Sequence, residues 1–357
     1  MPRRAVPCIV QACPRQRGSA LITALWVIAF LSFLLFAFAF EVKLEARITD
    51  QYRRRAKVER LARSGIELAR FLLDQADRIN PANPKPEDQE QPWFESARRL
   101  REGLNVVAFS RDVGEGTVRI AIVPEPARIN VNELKSFADW EPVFDQGGIP
   151  EEEWPALFDA FMDWTDPDDI PRPDGAESDD TYLRLDPPYR AKNAPLDTVD
   201  ELLLIKGFTN TYVYGGLLPP KDPESGEPGT YIPGIADLLT TYGSRQVNIN
   251  AASLRVIMAL SLDIDEPLAR EIILEREGDP EKPDEDTSYR SADDFFNRFP
   301  DFPDLRNRLK NRITVQSQIM RITSNGRIGD VGWTISCIVE RSRGAFRILR
   351  WQEEPGS

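Results

Sequence analysis

A long apolar stretch close to the N-terminus dominates the hydrophobic pattern of the chain. Residues 19–40 are uncharged and mostly apolar. As a helix these residues would be about 33 Å long, enough to cross the hydrocarbon core of a bilayer. The stretch is longer than the apolar region of an ordinary secretory signal, and no A-x-A cleavage site follows it. Four arginines and no acid precede it, so we expect one membrane span with the short N-terminus in the cytoplasm.

The helical pattern continues beyond this apolar stretch. Residues 41–75 contain no proline, and Gly65 is the one weak point for a helix. Apolar and small residues recur at spacings of three, four and multiples of these, as on one helix face. They are Leu44, Ile48, Ala56, Leu61, Ala62, Ile66, Ala69 and Leu72. The pattern predicts a single helix from about Ser19 to Ala76, half of it in the membrane and half amphipathic.

Segments of strand character flank a long helical block in the remaining chain. Alternating segments rich in β-branched residues predict strands at 117–123, 126–132, 317–323, 330–340 and 345–351, with SNGRIG and RSRG as turns. The helix candidates between them are 151–164, 197–205, 234–242, 251–260, 266–277, 291–299 and 303–311. Asp197-Thr198 and Ser291 are good helix caps. The pattern predicts an α+β fold in which a large helical insertion splits the strands.

Charge and composition exclude several functions. A net charge of −13 argues against a nucleic-acid backbone as the main partner, because phosphate binding needs a basic face. The chain contains no histidine, which removes Ser-His-Asp and Cys-His catalysis and the HExxH zinc site. The three cysteines form no CxxC pair, and Cys337 lies on the apolar face of a predicted strand. We therefore expect Cys337 to be a small core residue.

The helical block and its borders contain two kinds of short motif. Asn130-Val131-Asn132 and Asn248-Ile249-Asn250 each lead into a helix, which indicates either an internal repeat or simple helix capping. The segment ELLLIKGF is similar to half of a helix-hairpin-helix, whose glycine turn can bind phosphate. Lys206 is the one cation close to this turn, so we interpret these units as structural or protein-facing.

An acidic, proline-broken loop is the strongest candidate for a metal site. Residues 151–186 contain 13 acids and two bases, and so many carboxylates repel each other unless a cation neutralises them. Ca²⁺ takes six to eight oxygen ligands in flexible loops, although the spacing is not that of an EF-hand. We expect a Ca²⁺ site that uses some of Asp166, Asp168, Glu177 and Asp180. A solvated acidic loop is the alternative, and a glycosidase pair of carboxylates lacks any signal of a pocket.

The N-terminus resembles a class III prepilin leader. Arg15-Gln16-Arg17-Gly18 directly precedes the apolar stretch, and in prepilins a membrane peptidase cuts after this glycine, here between Gly18 and Ser19. The fifth mature residue of pilins is usually glutamate, but it is Thr23 here. A buried acid without a partner is costly at membrane depth, so a subunit at a filament tip gains by losing it.

Ordered motifs make the resemblance more specific. The motifs are ARINVNEL, FMDWTDPDD, GAESDDTYLRLDPPYRAKN, VDELLLIKGF, VNINAASLRVIMAL and the stretch from Arg276 to Phe295. With Thr23, they make the chain from Gly18 onward similar to the K minor pseudopilins of the type II secretion system. The resemblance implies a long N-terminal helix packed on an antiparallel sheet, the pseudopilin fold, with a SAM-like all-α insertion. The implied divisions are a leader at 1–18, the transmembrane half of the helix at 19–40, its continuation with the first strands at 41–132, the insertion at 133–312 and the final strands at 313–357.

The resemblance also implies a function without catalysis. K pseudopilins cap the periplasmic pseudopilus in protein export, with the I and J minor pseudopilins in a tip complex and H and the major pseudopilin G beneath. It further implies prepilin peptidase as a processing partner, a methylated mature N-terminus, calcium in the insertion, and an inner-membrane anchor with the bulk in the periplasm. The alternatives are a minor pilin of a type IV pilus and a membrane-anchored periplasmic enzyme, which should keep its leader.

Overall fold

The computed structural model describes residues 19–79, 85–220, 228–278, 287–300, 302–342 and 345–356. Helix α1 spans Ser19–Arg78, close to the predicted limits. Within it, at Lys57 and Val58, the chain divides into two compact units. In the first unit every described side chain from Ala20 to Lys57 is exposed. Over the described residues α1 is the one helix long and apolar enough to span a membrane, as the hydrophobic pattern predicts.

The second unit combines helices with a set of long strands near its C-terminus. The helices are α2 (Pro86–Gln89), α3 (Phe94–Arg101), α4 (Phe137–Gly147), α5 (Trp154–Thr165), α6 (Asn210–Tyr214), α7 (Leu254–Met258), α8 (Glu266–Glu277), α9 (Ala292–Arg298) and α10 (Pro303–Leu309). The strands are β1 (Val106–Val113), β2 (Gly116–Pro124), β3 (Ile129–Asn130), β4 (Gly216–Leu218), β5 (Thr230–Ile232), β6 (Leu239–Thr240), β7 (Val247–Asn248), β8 (Ile313–Thr314), β9 (Ile319–Ile328), β10 (Val331–Ser342) and β11 (Ala345–Gly356). The chain therefore has an α+β fold, as predicted.

The long strands form one antiparallel sheet in the order β1-β2-β9-β10-β11. The strands predicted at 117–123, 317–323, 330–340 and 345–351 are confirmed, but SNGRIG lies mostly inside β9 and is not a turn. The turn between β9 and β10 is at Gly329, where φ is +60°. The prediction at 126–132 was wrong as a long strand, since only Ile129–Asn130 is extended between two 3₁₀ turns. Strand β1 was not predicted.

Helix α1 packs its second-unit residues against one face of this sheet. Val58, Ala62, Ala69 and Leu72 are fully buried there, in a core that also holds Ile122, Ile322, Ile335 and Cys337. Burial raises the pKa of the Cys337 thiol to about 11, in keeping with the predicted core role. Gly65 is explained by this contact, because a Cβ there would lie 2.0 Å from Ser324 Oγ and 2.7 Å from Val118 Cγ1. The helix-weakening glycine thus lies at a close approach of helix and sheet.

A helical insertion leaves the sheet after β2 and returns at β9. The helix predicted at 266–277 has the predicted limits, and helices overlap the candidates at 151–164, 251–260, 291–299 and 303–311. The 197–205 candidate is a 3₁₀ helix, Val199–Leu204, with a capping box formed by Thr198 and Glu201. The helix predicted at 234–242 was wrong, because this segment is a turn followed by β6. Its apolar residues Ile235 and Leu238 are buried and lie three positions apart, a spacing that one face of a helix would also show.

The two Asn-x-Asn motifs belong to an internal structural repeat. Each first asparagine lies in a parallel two-residue bridge, β3 with β6 and β7 with β8. In each motif the oxygen of the first asparagine accepts the N–H of the second at 3.0 Å. The second asparagine exchanges two hydrogen bonds with the backbone of a later residue, Asn132 with Leu196 and Asn250 with Tyr289. The motifs therefore cap local turns and also mark a duplicated unit.

A buried ionic junction ties the insertion to the sheet. Glu125 is 2% exposed and follows β2 directly. Its carboxylate accepts hydrogen bonds from Arg321 Nε and Nη2 at 2.8 and 2.7 Å, and from Thr240 Oγ1 at 2.6 Å. Because Arg321 lies in β9 and Thr240 in β6, one carboxylate joins the sheet to the insertion.

Candidate cation site

Helix α5 supplies the buried anchor of the acidic loop. Asp163, in its last turn, is fully buried, and its carboxylate accepts hydrogen bonds from the backbone N–H groups of Arg172 and Ala176. The loop passes so close that a Cβ on Gly175 would lie 1.9 Å from Asp163 Oδ2. Burial raises the pKa of Asp163 above its usual range, against the effect of these two donors. Asp163 therefore folds the loop back over the end of α5.

Two side chains of this loop, and one that reaches it from residue 193, have buried oxygens that lack a hydrogen-bond partner among the described residues. Both carboxylate oxygens of Glu177, Oδ1 of Asp166 and Oδ1 of Asn193 are of this kind. Glu177 is only 2% exposed. Burial, and then the charges of Asp163 and Asp166, raise the pKa of Glu177 to about 7. A buried carboxylate without donors is unfavourable unless a proton or a cation neutralises it.

Asn193 lies beyond the acidic loop in the sequence, and its side chain contacts the loop. Its backbone has φ of +50°, the left-handed conformation that asparagine tolerates better than most residues. Its Nδ2 group donates to the carbonyl of Asp168 at 3.0 Å and to Asp169 Oδ1 at 2.9 Å. This leaves the amide oxygen of Asn193 as a buried acceptor. Asn193 is not among the ligands predicted from the sequence, although it ends the motif GAESDDTYLRLDPPYRAKN.

The four predicted ligands occupy different places in this arrangement. Asp166 and Glu177 present the unpartnered oxygens described above. Asp168 Oδ1 accepts the N–H of Ile170 at 2.9 Å, and Asp180 Oδ1 accepts the N–H of Glu177 at 2.9 Å. One oxygen of each of these two residues therefore shapes a turn of the loop.

The donor set fits a hard cation that accepts mixed oxygen ligands. Within the described ranges, no three Asp, Glu, His or Cys side chains are placed as a metal cluster, so carboxylates alone would not complete a site. Two carboxylates and one amide oxygen with buried, unpartnered atoms are present, and backbone carbonyls and water are ordinary further ligands of Ca²⁺. Mg²⁺ fits less well, because it requires a tight octahedron and keeps its waters.

Lys206, at the glycine turn, connects to this loop and not to an exposed phosphate-binding surface. Its ammonium group donates to the carbonyls of Gly175 and Asp174 at 3.0 and 3.5 Å. Its backbone N–H donates to the Tyr182 hydroxyl at 3.2 Å. The helix-hairpin-helix-like turn therefore serves to hold the acidic loop, which agrees with the structural interpretation of ELLLIKGF.

The N-terminal site residues are only partly within the described chain. Gly18 lies outside the described residues, and Ser19 is the first residue of α1. Thr23 is exposed, and its hydroxyl donates to the carbonyl of Ala20 at 3.0 Å. A threonine hydroxyl bonded within its own helix carries no charge into the apolar stretch. Cleavage between Gly18 and Ser19 stays a prediction.

Comparison with known proteins identifies relatives over most of the second unit. Residues 127–219 and 247–316 match two family models, each described as type II secretion system (T2SS), protein K. The type II secretion system protein K of Klebsiella pneumoniae is 26% identical over 253 residues, covering 66% of each chain. That of Pectobacterium carotovorum subsp. carotovorum is 26% identical over 221 residues, covering 57% of this chain and 62% of the relative. The two family matches begin close to the two Asn-x-Asn motifs, as expected for a duplicated unit.

A solved structure shares the fold. It is the GspK-GspI-GspJ complex from the type 2 secretion system of enterotoxigenic Escherichia coli. The match has a TM-score of 0.60 and 17% sequence identity, and covers 87% of this chain and 99% of the matched chain. At this identity the match concerns the fold, a long N-terminal helix with an antiparallel sheet and a helical insertion.

Proposed function

Since the chain is a member of the type II secretion system protein K family, we propose that it is the minor pseudopilin that caps the tip of the pseudopilus. Its role would be structural, without catalytic activity, in protein export across the outer membrane. The observation that supports a cap is the insertion between β2 and β9, which spans most of residues 125–318. In a pilin-like filament the N-terminal helices of the subunits pack side by side. A subunit with so large an added domain therefore fits best at the tip, where no further subunit stacks above it.

Export by the host tests this proposal. Deleting the gene should leave the exported proteins in the periplasm, and the full chain supplied from a plasmid should restore their secretion. Restoration by a variant that lacks residues 129–316 would contradict a capping role for the insertion. A pilus phenotype with normal secretion would favour the alternative, a minor pilin of a type IV pilus.

We also propose that the partners are the I and J minor pseudopilins, with H and the major pseudopilin G below them. The solved structure with the same fold is a GspK-GspI-GspJ complex, which supports the I and J assignments. The second unit exposes Ile348 and Trp351 on β11, beside the flank of α1 that carries Arg63 and Arg70. Half-exposed apolar residues on an outer strand are typical of an interface that a partner covers.

For the N-terminus we propose cleavage by prepilin peptidase between Gly18 and Ser19, followed by methylation. The anchor would then be a single span in the inner membrane, with the second unit in the periplasm. Support comes from the Arg15-Gln16-Arg17-Gly18 leader, which directly precedes the apolar stretch. Mass spectrometry of the protein extracted from membranes should find a mature chain that begins at Ser19 and carries one extra methyl group. Retention of Met1 would contradict the proposal.

Finally, we propose that Ca²⁺ binds the acidic loop as a structural ion. Asp166, Glu177 and Asn193 would hold it, because their oxygens are buried without hydrogen-bond partners in the described part of the chain. The ion would neutralise carboxylates that otherwise repel each other, and so fix the loop to α5. Equilibrium dialysis or calorimetry with the full chain in detergent should detect calcium binding, and the absence of binding at millimolar Ca²⁺ would contradict it.

A further inference from the structure

A positive side chain already stands beside the proposed cation site. Arg172 Nε lies 3.4 Å from Asp163 Oδ1, and its Nη2 group lies 3.9 Å from Asp166 Oδ2. The other oxygen of Asp166, Oδ1, is one of the buried atoms that lack a partner among the described residues. The same carboxylate therefore faces a guanidinium group with one oxygen and the proposed ion with the other.

We infer that Arg172 is a tethered counter-ion that competes with the metal and sets the affinity of the site. A divalent cation bound to Asp166 would be held close to a second positive charge, and the two repel each other. In the metal-free protein the same guanidinium offsets part of the charge of Asp163 and Asp166. This inference rests on the proposed Ca²⁺ site and adds the residue that tunes it.

Other charges around Arg172 do not remove this competition. Asp163 is held by two backbone donors as well as by Arg172, so it does not depend on the guanidinium group. Lys206, the other nearby cation, donates to the carbonyls of Asp174 and Gly175 and is thereby directed at the backbone. Arg172 is 40% exposed, so its side chain can turn toward solvent when an ion binds.

Substitution of Arg172 should leave the fold of the loop intact. The backbone N–H of residue 172, not its side chain, supplies the hydrogen bond at 3.1 Å that anchors the loop to Asp163. Arg172→Gln keeps this bond and removes only the positive charge. Arg172→Lys keeps the charge and serves as the conservative variant. Arg184→Gln, at an exposed position of the same loop, is the control for the change in net charge.

The experiment is calorimetric titration of the four full-length proteins in detergent with CaCl₂, together with thermal melting in EDTA. We expect Arg172→Gln to bind Ca²⁺ about tenfold more tightly than the unmodified chain, from the loss of one nearby charge. Arg172→Lys and Arg184→Gln should stay within about twofold. In EDTA, Arg172→Gln should melt at a lower temperature than Arg184→Gln.

Two results would overturn the inference, and they differ in meaning. If the unmodified chain binds Ca²⁺ and Arg172→Gln binds it equally or more weakly, Arg172 does not compete, while the proposed site stands. If none of the four proteins binds Ca²⁺, the proposed site itself is absent and the inference falls with it.

Discussion

At the scale of single residues, the support for a bound cation comes from buried side-chain oxygens that lack a hydrogen-bond partner among the described residues. A carboxylate such as Glu177, 2% exposed and with neither oxygen in a hydrogen bond of ordinary geometry, gains little from its surroundings, because the Ser178 N–H offsets only part of the cost of its burial. Asp163 shows the contrast, since it is fully buried and accepts two backbone N–H groups. Two acids of one loop thus differ: Asp163 anchors the chain, and Glu177 belongs to the proposed Ca²⁺ site.

Glu177→Gln should remove most of the calcium-dependent stability. A ligand that binds only the folded state stabilises it by RT ln(1 + [L]/Kd), about 2.7 kcal/mol when calcium is 100-fold above Kd. Thermal melting in EDTA, Ca²⁺ and Mg²⁺ measures the effect, with the largest rise expected in Ca²⁺. Glu151→Gln, at an exposed acid of the same region, should keep the full rise. Identical melting of the unmodified protein in all three buffers would leave the loop as a solvated acidic segment.

Gly65 provides a second test at the scale of residues. Alanine is the better helix former by about 1 kcal/mol, so Gly65→Ala would stabilise a helix that had room for a methyl group. Here the methyl group would meet Ser324 and Val118, and overpacking of this kind costs about 1–3 kcal/mol. We expect a net loss of stability in urea unfolding, whereas Ser64→Ala on the exposed side should change little. A more stable Gly65→Ala variant would contradict the close approach of α1 and β9.

At the scale of elements, the repeated Asn-x-Asn turns hold the insertion together. Asn132 and Asn250 each exchange two hydrogen bonds with a later backbone segment. Asn250 is more deeply buried, and its Nδ2 group also lies 3.1 Å from the carbonyl of Glu102, which precedes the sheet. Asn250 is thereby connected to the segment that leads into β1, whereas the side-chain hydrogen bonds of Asn132 among the described residues go to Leu196.

The two asparagines should therefore differ in their effect on stability. Asn250→Ala leaves several buried backbone groups unpaired, each at about 1–3 kcal/mol, and should destabilise the protein more than Asn132→Ala. Asn210→Ala, at an exposed position in α6, is the control and should change stability by less than about 0.5 kcal/mol. Free energies of unfolding from urea titrations give the comparison. Equal losses for Asn132→Ala and Asn250→Ala would contradict the link to the sheet.

Elements with one clean period could be predicted from the sequence, and those shaped by tertiary contacts could not. The helix at 266–277 and the strand β9 follow a single period along most of their length. The helix prediction for 234–242 was wrong because the apolar residues of this segment are buried in a turn and in β6, and not on a helix face. Strand β1 was missed since its outer half, FSRDV, alternates weakly and lies at the sheet edge.

The candidate site was predictable only in outline for a related reason. A surplus of acids is visible along the chain, but the choice of ligands depends on which carboxylates the folded loop already uses. Asp168 and Asp180 each give an oxygen to a local turn, and Asn193 enters from 16 residues beyond Glu177 through a left-handed backbone. Spacing alone does not encode that return of the chain.

At the scale of the whole molecule, one compact unit carries both the sheet and the insertion. Glu125 joins them, since its buried carboxylate binds Arg321 of β9 and Thr240 of β6. Such a junction lets force applied to the sheet pass to the insertion without an intervening linker. Such a connection is what the proposed position at the tip of a filament would require, because the shaft beneath would push on the insertion through the sheet.

Assembly with the proposed partners is the most direct test of this account. The chain from residue 42 onward should be mixed with the soluble regions of the I and J minor pseudopilins of the same host, and the mass of the product measured by light scattering during size-exclusion chromatography. We expect one defined complex with a single copy of each protein. Elution of this chain as a monomer from every mixture, at concentrations where the I and J proteins are folded, would contradict it.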